Sequence, residues 1–227
     1  MNDKDNRLYF KQLEMGPMQN FVYLIGCTES RKVAVVDAAW EIDEILRVAA
    51  ADDMEITHAF VTHTHPDHVG GRFAGVEIEG VTELLGKCKA KVVVHKAEAE
   101  FLELLSPSDV VKAESGDKID VGGIAVQLLH TPGHTPGSQC FLVEHRIVSG
   151  DTLFIGSCGR VDLPGSNPEQ MYYSLTQKLM ALPDDTILFP GHNYSDEPTS
   201  TIGKQKQSNP YLQFHSLKQF LGAMGYR

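Results

Sequence analysis

The sequence predicts an α/β (α+β) protein in which two β-sheets pack face to face and helices cover the outside, a four-layer arrangement. Three observations lead there. Short β-rich runs come in two groups, each followed by helical patterns, rather than in strict βαβ alternation. Hydrophobic residues make up 42% of the 227, enough for a sizeable core. No heptad run, solenoid-period repeat or low-complexity segment points to another architecture.

Residues 8–13, 20–25 and 32–36 read as strands, separated by Gly16-Pro17 and by residues 28–31. Residues 41–51 then place Ile42, Ile45, Leu46, Val48 and Ala49 at helical spacing. A compact strand over 57–62 runs into a histidine-rich turn. Residues 75–87, acidic at 76–80 and helical from 81, exceed what a simple connection needs and are read as a lid. The run KVVVH at 91–95 predicts a buried strand, and 97–105 a short helix stopped before Pro107.

Strands at 119, 124–129, 139–143 and 146–149 form the second group, with Gly122-Gly123 as a turn. Residues 168–182 read as a helix with Pro168 at its start, where a missing N–H costs nothing. One more strand follows at 186–189, and the tail from about 198 reads as largely helical. No linker divides the chain, so one domain is expected over residues 1–227. In the tail, Tyr211, Leu212, Phe214, Leu217, Phe220 and Leu221 suit internal packing or a partner equally. The oligomeric state stays open.

Composition narrows the function. Lys plus Arg is 20 and Asp plus Glu is 30, a net charge of −10 with histidine neutral. Nucleic-acid binding normally needs the opposite balance, because phosphate neutralisation supplies much of its affinity. Anionic lipid is disfavoured for the same reason, so a small-molecule substrate is expected, with no nucleic acid and no membrane. The N-terminus MNDKDNRLYF has no signal-peptide apolar stretch. Four dispersed cysteines, Cys27, Cys88, Cys140 and Cys158, show no CxxC spacing. Reduced thiols and a cytoplasmic location follow as expectations.

The chemistry concentrates in residues 61–71, Val-Thr-His-Thr-His-Pro-Asp-His-Val-Gly-Gly. His63, His65, Asp67 and His68 fall within six positions directly after a strand. Chance at this chain's composition would produce HxHxDH about 0.001 times. Imidazoles beside a carboxylate suit Zn²⁺ or Fe²⁺. Thr62 and Asp37 are candidates to orient the imidazoles. His58, His95, His130, His145 and His215 lack ligand-like spacing.

This turn resembles the signature of the metallo-β-lactamase fold superfamily. The later motifs match in order: TPGHTPGS with His134, VSGDTLF with Asp151 and FPGHNY with His192. The resemblance covers roughly residues 8–194 and implies an αββα sandwich of two mixed β-sheets with outer helices. It also implies that His63, His65 and His134 hold one divalent ion and Asp67, His68 and His192 a second. Asp151 would bridge them, with Asp67 and Asp151 the catalytic carboxylates. Zn is the first choice for both ions, with Fe or Mn as alternatives. Two such ions about 3.5–4 Å apart can bind a hydroxide and polarise a carbonyl. No Gly-x-Ser-x-Gly elbow competes for the nucleophile's role.

Within that superfamily, GDTLFIGSCGRVDLP at 150–164 and PGHNY at 190–194 are similar to the glyoxalase II group. The similarity implies a thioesterase acting on a hydroxyacylglutathione-like or related acyl substrate, with Arg160 and Tyr194 helping to bind it. Arg160 has a second expected role, an ion pair with Asp162, which stands where that group has an aromatic. Cys158 lies beside these residues and is expected in the pocket. Persulfide dioxygenases offer the alternative. Their Cys-Gly-Arg-x-Asp loop matches residues 158–162, and their single Fe would take His65, His134 and Asp151. They often carry Ala before the last His, whereas this chain has Gly191 as the hydrolases do.

Overall fold

The computed structural model describes residues 7–103 and 105–226. The charged residues 1–6 and Leu104, inside the expected helix at 97–105, lie outside the described residues. The first half runs β1 (Leu8–Met15), β2 (Asn20–Cys27), β3 (Lys32–Val36), α1 (Ile42–Ala51), β4 (Glu55–Phe60) and α2 (Pro66–Val69). The hairpin β5 (Gly71–Phe73) and β6 (Val76–Ile78), α3 (Val81–Lys87), β7 (Lys91–His95) and β8 (Val110–Ala113) complete it. The second half runs β9 (Lys118–Val121), β10 (Ile124–His130), β11 (Gln139–Val143) and β12 (Arg146–Gly150), then the pair β13 (Leu153–Phe154) and β14 (Ser157–Cys158). It ends with α4 (Pro168–Tyr173), β15 (Ile187–Pro190), β16 (Ser200–Thr201), α5 (Ile202–Ser208) and α6 (Leu217–Ala223).

Both large sheets have six strands and both are mixed. The first is ordered β1-β2-β3-β4-β7-β8, antiparallel up to β3 and parallel from β3 onward. The second is ordered β16-β15-β12-β11-β10-β9, with only β12 and β15 parallel. Side chains alternate across a strand, so a central strand of a layered sandwich feeds two cores at once. In β2, Phe21, Tyr23 and Ile25 enter the core between the sheets, while Val22 and Leu24 face α1 and α3. In the second sheet Phe141 and Val148 point inward, and Cys140, Ile147 and Leu188 pack against α4, α5 and α6. Three apolar layers between four structural ones are the sandwich the sequence predicts.

Where local structure departs from the sequence reading, hydrogen bonding explains much of it. The strand expected at 57–62 ends at Phe60, because the Thr62 N–H donates to the Asp37 carboxylate and not to a strand partner. Within the helix expected at 97–105, the described residues form only a 3₁₀ turn, Ala99–Leu102. The helix over 168–182 keeps its start, capped by the Asn167 side chain, and widens into a π turn over Ser174–Leu179. Within residues 75–87 the hairpin tip at 75–77 is exposed, while Ile78, Val81 and Leu84 are buried and Val81 and Leu84 belong to the α1 core, so the helical half of this expected lid is packed down. The tail settles inward, with Leu212 and Phe220 buried and Tyr211 and Phe214 packed against them. Among the described residues, no helix is long and apolar enough to cross a membrane.

Candidate metal centre

The sequence-predicted cluster assembles from loops at the carboxyl ends of four strands, where ligands of open α/β sheets gather. His63 and His65 follow β4. A tight turn of helix begun by Pro66 then carries Asp67 and His68. His134 lies between β10 and β11, Asp151 directly after β12 and His192 directly after β15. Two glycines make the convergence possible. Gly133 adopts φ +143°, and a Cβ there would lie 2.4 Å from the Met171 Cα, so the loop carrying His134 can rest on α4. A Cβ on Gly191 would lie 2.4 Å from Asp151 Oδ1, so only glycine leaves that oxygen undisturbed.

Two nitrogen and oxygen groups result. His63 Nε2 and His134 Nε2 lie 3.1 and 3.0 Å from His65 Nδ1. A tetrahedral zinc with bonds of about 2.0–2.1 Å holds its nitrogens about 3.3 Å apart, so this triangle has the right size. Beside it, Asp67 Oδ2 lies 3.3 Å from His68 Nε2 and 3.4 Å from His192 Nε2. Asp151 faces both groups: Oδ2 is 3.5 Å from His134 Nε2, and Oδ1 is 3.5 Å from both His68 and His192 Nε2. Ligand atoms of each group lie within 4.8 Å of one another.

The outer hydrogen bonds fix which ring nitrogen carries the hydrogen. The Nδ1 atoms of His68, His134 and His192 sit 2.9–3.0 Å from pure acceptors, Asp37 Oδ2, the Arg160 carbonyl and the Met18 carbonyl. The Thr62 hydroxyl donates to Asp37, so it accepts from His63 Nδ1 at 3.0 Å. Each Nδ1 therefore bears hydrogen, and each Nε2 turns a lone pair inward. Several lone pairs facing one another at 3.0–3.5 Å repel unless a cation lies among them. Asp151 Oδ1 adds to this, being buried without a hydrogen-bond donor in bonding geometry. The donor set fits divalent cations on both sides of Asp151.

Electrostatics point the same way. Burial and the neighbouring imidazoles push His63 well below the ordinary histidine range and His65 to about 4. Both rings are thus neutral at pH 7, the form that binds metal. Burial opposes the charges on Asp67 and Asp151, but His68 and His192 outweigh it and hold both carboxylates below their usual range. Burial likewise opposes a charge on His68, and Asp67, Asp151 and Asp37 overcome it, so these carboxylates draw a cation to this ring, either a proton on Nε2 or a metal ion in the proton's place. The pocket favours positive charge at its centre.

Sequence reasoning passes over three residues here. The Asn20 amide donates to Asp67 Oδ2 at 3.0 Å and to the Asp67 carbonyl at 3.1 Å. The Trp40 indole N–H donates to Asn20 Oδ1 at 3.0 Å, which sets the direction of that amide. Buried Glu98 accepts from the Thr64 N–H and hydroxyl and from the Gly137 N–H, tying the His63–His68 turn to the His134 loop. None belongs to a recognisable spacing. Their roles arise only from contacts across the sheets.

Of the two residues expected to bind substrate, Tyr194 lies on the cleft wall, stacked on His192 with ring centroids 4.7 Å apart. Arg160 also lines the cleft, but its Nε and one terminal nitrogen donate to Asp162 at 2.9 Å each. The ion-pair role is the one seen. Cys158 is not among the cleft-lining residues. It packs against the core under α4, and burial pushes its thiol up to about 12. Among the described residues, the ligand-type groups include none of His58, His95, His130, His145 and His215.

Comparison with known proteins agrees with this geometry. The Metallo-beta-lactamase superfamily profile matches residues 15–192. The chain belongs to that superfamily. It is 30% identical to the human mitochondrial persulfide dioxygenase ETHE1 over 214 residues, 90% of this chain and 76% of the relative. It is equally 30% identical to the Haemophilus influenzae hydroxyacylglutathione hydrolase GloC over 197 residues, 81% of this chain and 89% of the other. The crystal structure of ETHE1 from Myxococcus xanthus superposes with a TM-score of 0.83 at 32% identity, covering 96% and 90% of the two chains. Both human ETHE1 and GloC are enzymes by name, one a dioxygenase and one a hydrolase. The superfamily thus supplies the fold and two chemistries at equal identity.

Proposed function

We propose that this protein is a metal-dependent hydrolase of thioesters or related acyl substrates, binding two divalent ions. His63, His65 and His134 would hold one, Asp67, His68 and His192 the other, and Asp151 would serve both. The observation that carries this reading is Asp151, whose two oxygens face different nitrogen groups. Gly191 supports it by leaving Oδ1 room to face the second group.

Divalent ions held there supply Lewis acidity toward a carbonyl oxygen and make water acidic enough to attack near neutral pH. The chain's own residues do the rest. Asp37 and the Met18 and Arg160 carbonyls hold the imidazoles in one orientation. Asp67 and Asp151 remain ionised and offset the ions' charge. Tyr194 and Phe154, in ring contact with each other, form a wall of the cleft beside the cluster. Hydrolysis of a thioester then consumes one water and yields a carboxylate and a thiol.

Zinc is the expected ion, and iron or manganese also suit this mixed donor set. Purified protein should contain close to two metal ions per chain and release thiol from S-lactoylglutathione or an acyl N-acetylcysteamine without oxygen. Asp151→Ala should bring the metal content below one and abolish turnover, with the circular dichroism unchanged.

The likeness to ETHE1 favours a second reading, a dioxygenase in which one iron is held by His65, His134 and Asp151. Oxygen consumption with glutathione persulfide and one iron per chain would establish it in place of the first.

A further inference from the structure

Above the ligand cluster the cleft opens to about 600 Å³. Beyond the polar ligands its lining is mostly apolar. Met18, Phe154, Leu163 and Tyr194 line it, and Phe73 and Phe101 add two more aromatic rings. Phe101 is 67% exposed, Tyr194 56% and Phe73 48%. Single exposed apolar residues are ordinary; several converging on one cleft mark a surface that an apolar ligand covers.

The charges tell the same story by their arrangement. Asp67, Glu98, Asp151 and Arg160 are the Asp, Glu, Lys or Arg residues among the described lining residues. The acids of the floor are committed to the metal groups, and Glu98 accepts three hydrogen bonds from the chain itself. Arg160 is the single permanent cation, and its fork already chelates Asp162. Glutathione carries two carboxylates and an ammonium. The lining thus offers one guanidinium, shared with Asp162, against the two carboxylates of glutathione.

We infer that the cleft selects acyl thioesters with uncharged, apolar arms over thioesters of glutathione. This rests on the hydrolase reading for its chemistry but on the walls alone for its selectivity. A carboxylate buried without its partner weakens binding on the order of ten- to a hundredfold. Each methylene that the aromatic walls remove from water strengthens it up to about fourfold.

The test separates binding from turnover by using thioethers, which cannot be hydrolysed. Metal-loaded protein is titrated calorimetrically with S-hexyl-N-acetylcysteamine and with S-hexylglutathione. The neutral ligand should bind at least tenfold tighter, and butyl, hexyl and octyl members should tighten progressively. Phe101→Ser, at an exposed position, should weaken the hexyl ligand about fivefold with the urea midpoint unchanged. Asp162→Asn releases Arg160 and should tighten S-hexylglutathione several-fold while leaving the neutral thioether as it was. Equal or tighter binding of S-hexylglutathione overturns the inference, and so does failure of both ligands to bind at millimolar concentration. Selective binding of the neutral thioether with no hydrolysis of either thioester would retain the inference and remove the hydrolase reading.

Discussion

Asn20→Ala offers a sharp test of the centre's asymmetry. The substitution removes two donations to Asp67, to Oδ2 at 3.0 Å and to the carbonyl at 3.1 Å. It also leaves the Trp40 indole N–H without its acceptor. A hydrogen bond to a charged group contributes about 1.5–3 kcal/mol, and a donor left unpaired costs about 1–3 kcal/mol. Because Trp40 is partly buried, water recovers some of the second amount. Metal-free Asn20→Ala protein should therefore lose about 2–4 kcal/mol of unfolding free energy in urea.

The effect on metal should be one-sided. Asp67 belongs with His68 and His192, and nothing in the His63, His65 and His134 triangle touches Asn20 within bonding distance. Loss of an outer hydrogen bond to a ligand typically weakens metal affinity about 10- to 100-fold. One of the two metal equivalents should weaken by that factor and the other should stay. Calorimetric titration of metal-free protein resolves the two events. Trp40, the only tryptophan in the chain, reports the same site by its fluorescence in the wild-type protein. Equal weakening of both equivalents, or of neither, would refute the reasoning.

Other outcomes follow from the same geometry. Gly191→Ala places a methyl 2.4 Å from Asp151 Oδ1 and should reduce bound metal from two equivalents toward one, as read by elemental analysis. Glu98→Gln turns an amide hydrogen toward a backbone N–H that the carboxylate now satisfies. It should cost about 1–3 kcal/mol in urea unfolding and lower kcat/KM about tenfold; a variant matching wild type in both would remove Glu98 from the site's support. Burial and the stacked His130 ring, 3.8 Å away and 8° from parallel, lower His95 to about 4. The unfolded chain then binds more protons than the folded one between pH 6.5 and about 4, so His95 costs stability as pH falls through that window and nothing above it. Nearby Glu98 and Glu114 oppose this lowering and Lys96 adds to it. His95→Phe should narrow the acid-side loss measured by urea unfolding at pH 7, 6, 5 and 4, and a parallel pH dependence for both proteins would contradict the assignment.

How much of this was legible in the sequence depends on whether the signal was local. The histidine turn is visible because His63, His65, Asp67 and His68 fall within six positions of one short segment. His134, Asp151 and His192 lie far apart in the chain, yet each follows a strand in a Gly- or Pro-rich loop, which is a local mark too. The layer order is readable because strands and helices come in groups instead of strict βαβ alternation, and the structure bears this out in β2, β3 and β12, which are buried on both faces. The hairpin β5–β6 escapes because its strands are three residues long and largely exposed, so neither periodicity nor burial betrays it.

What a single chain cannot announce is reciprocity between distant residues. Asn20 is one more polar residue opening a strand until Trp40 fixes one end of its amide and Asp67 takes the other. Arg160 fits a substrate clamp as well as an ion pair, and only the placement of Asp162 on both its donors decides between them. That placement bears directly on specificity, since a guanidinium bound to its own chain is a poor partner for a substrate carboxylate. The family resemblance points to glutathione through Arg160 and Tyr194, and of these Arg160 is already paired with Asp162 while Tyr194 stands among the aromatic walls, which is why the inferred selection of substrate is placed on the walls.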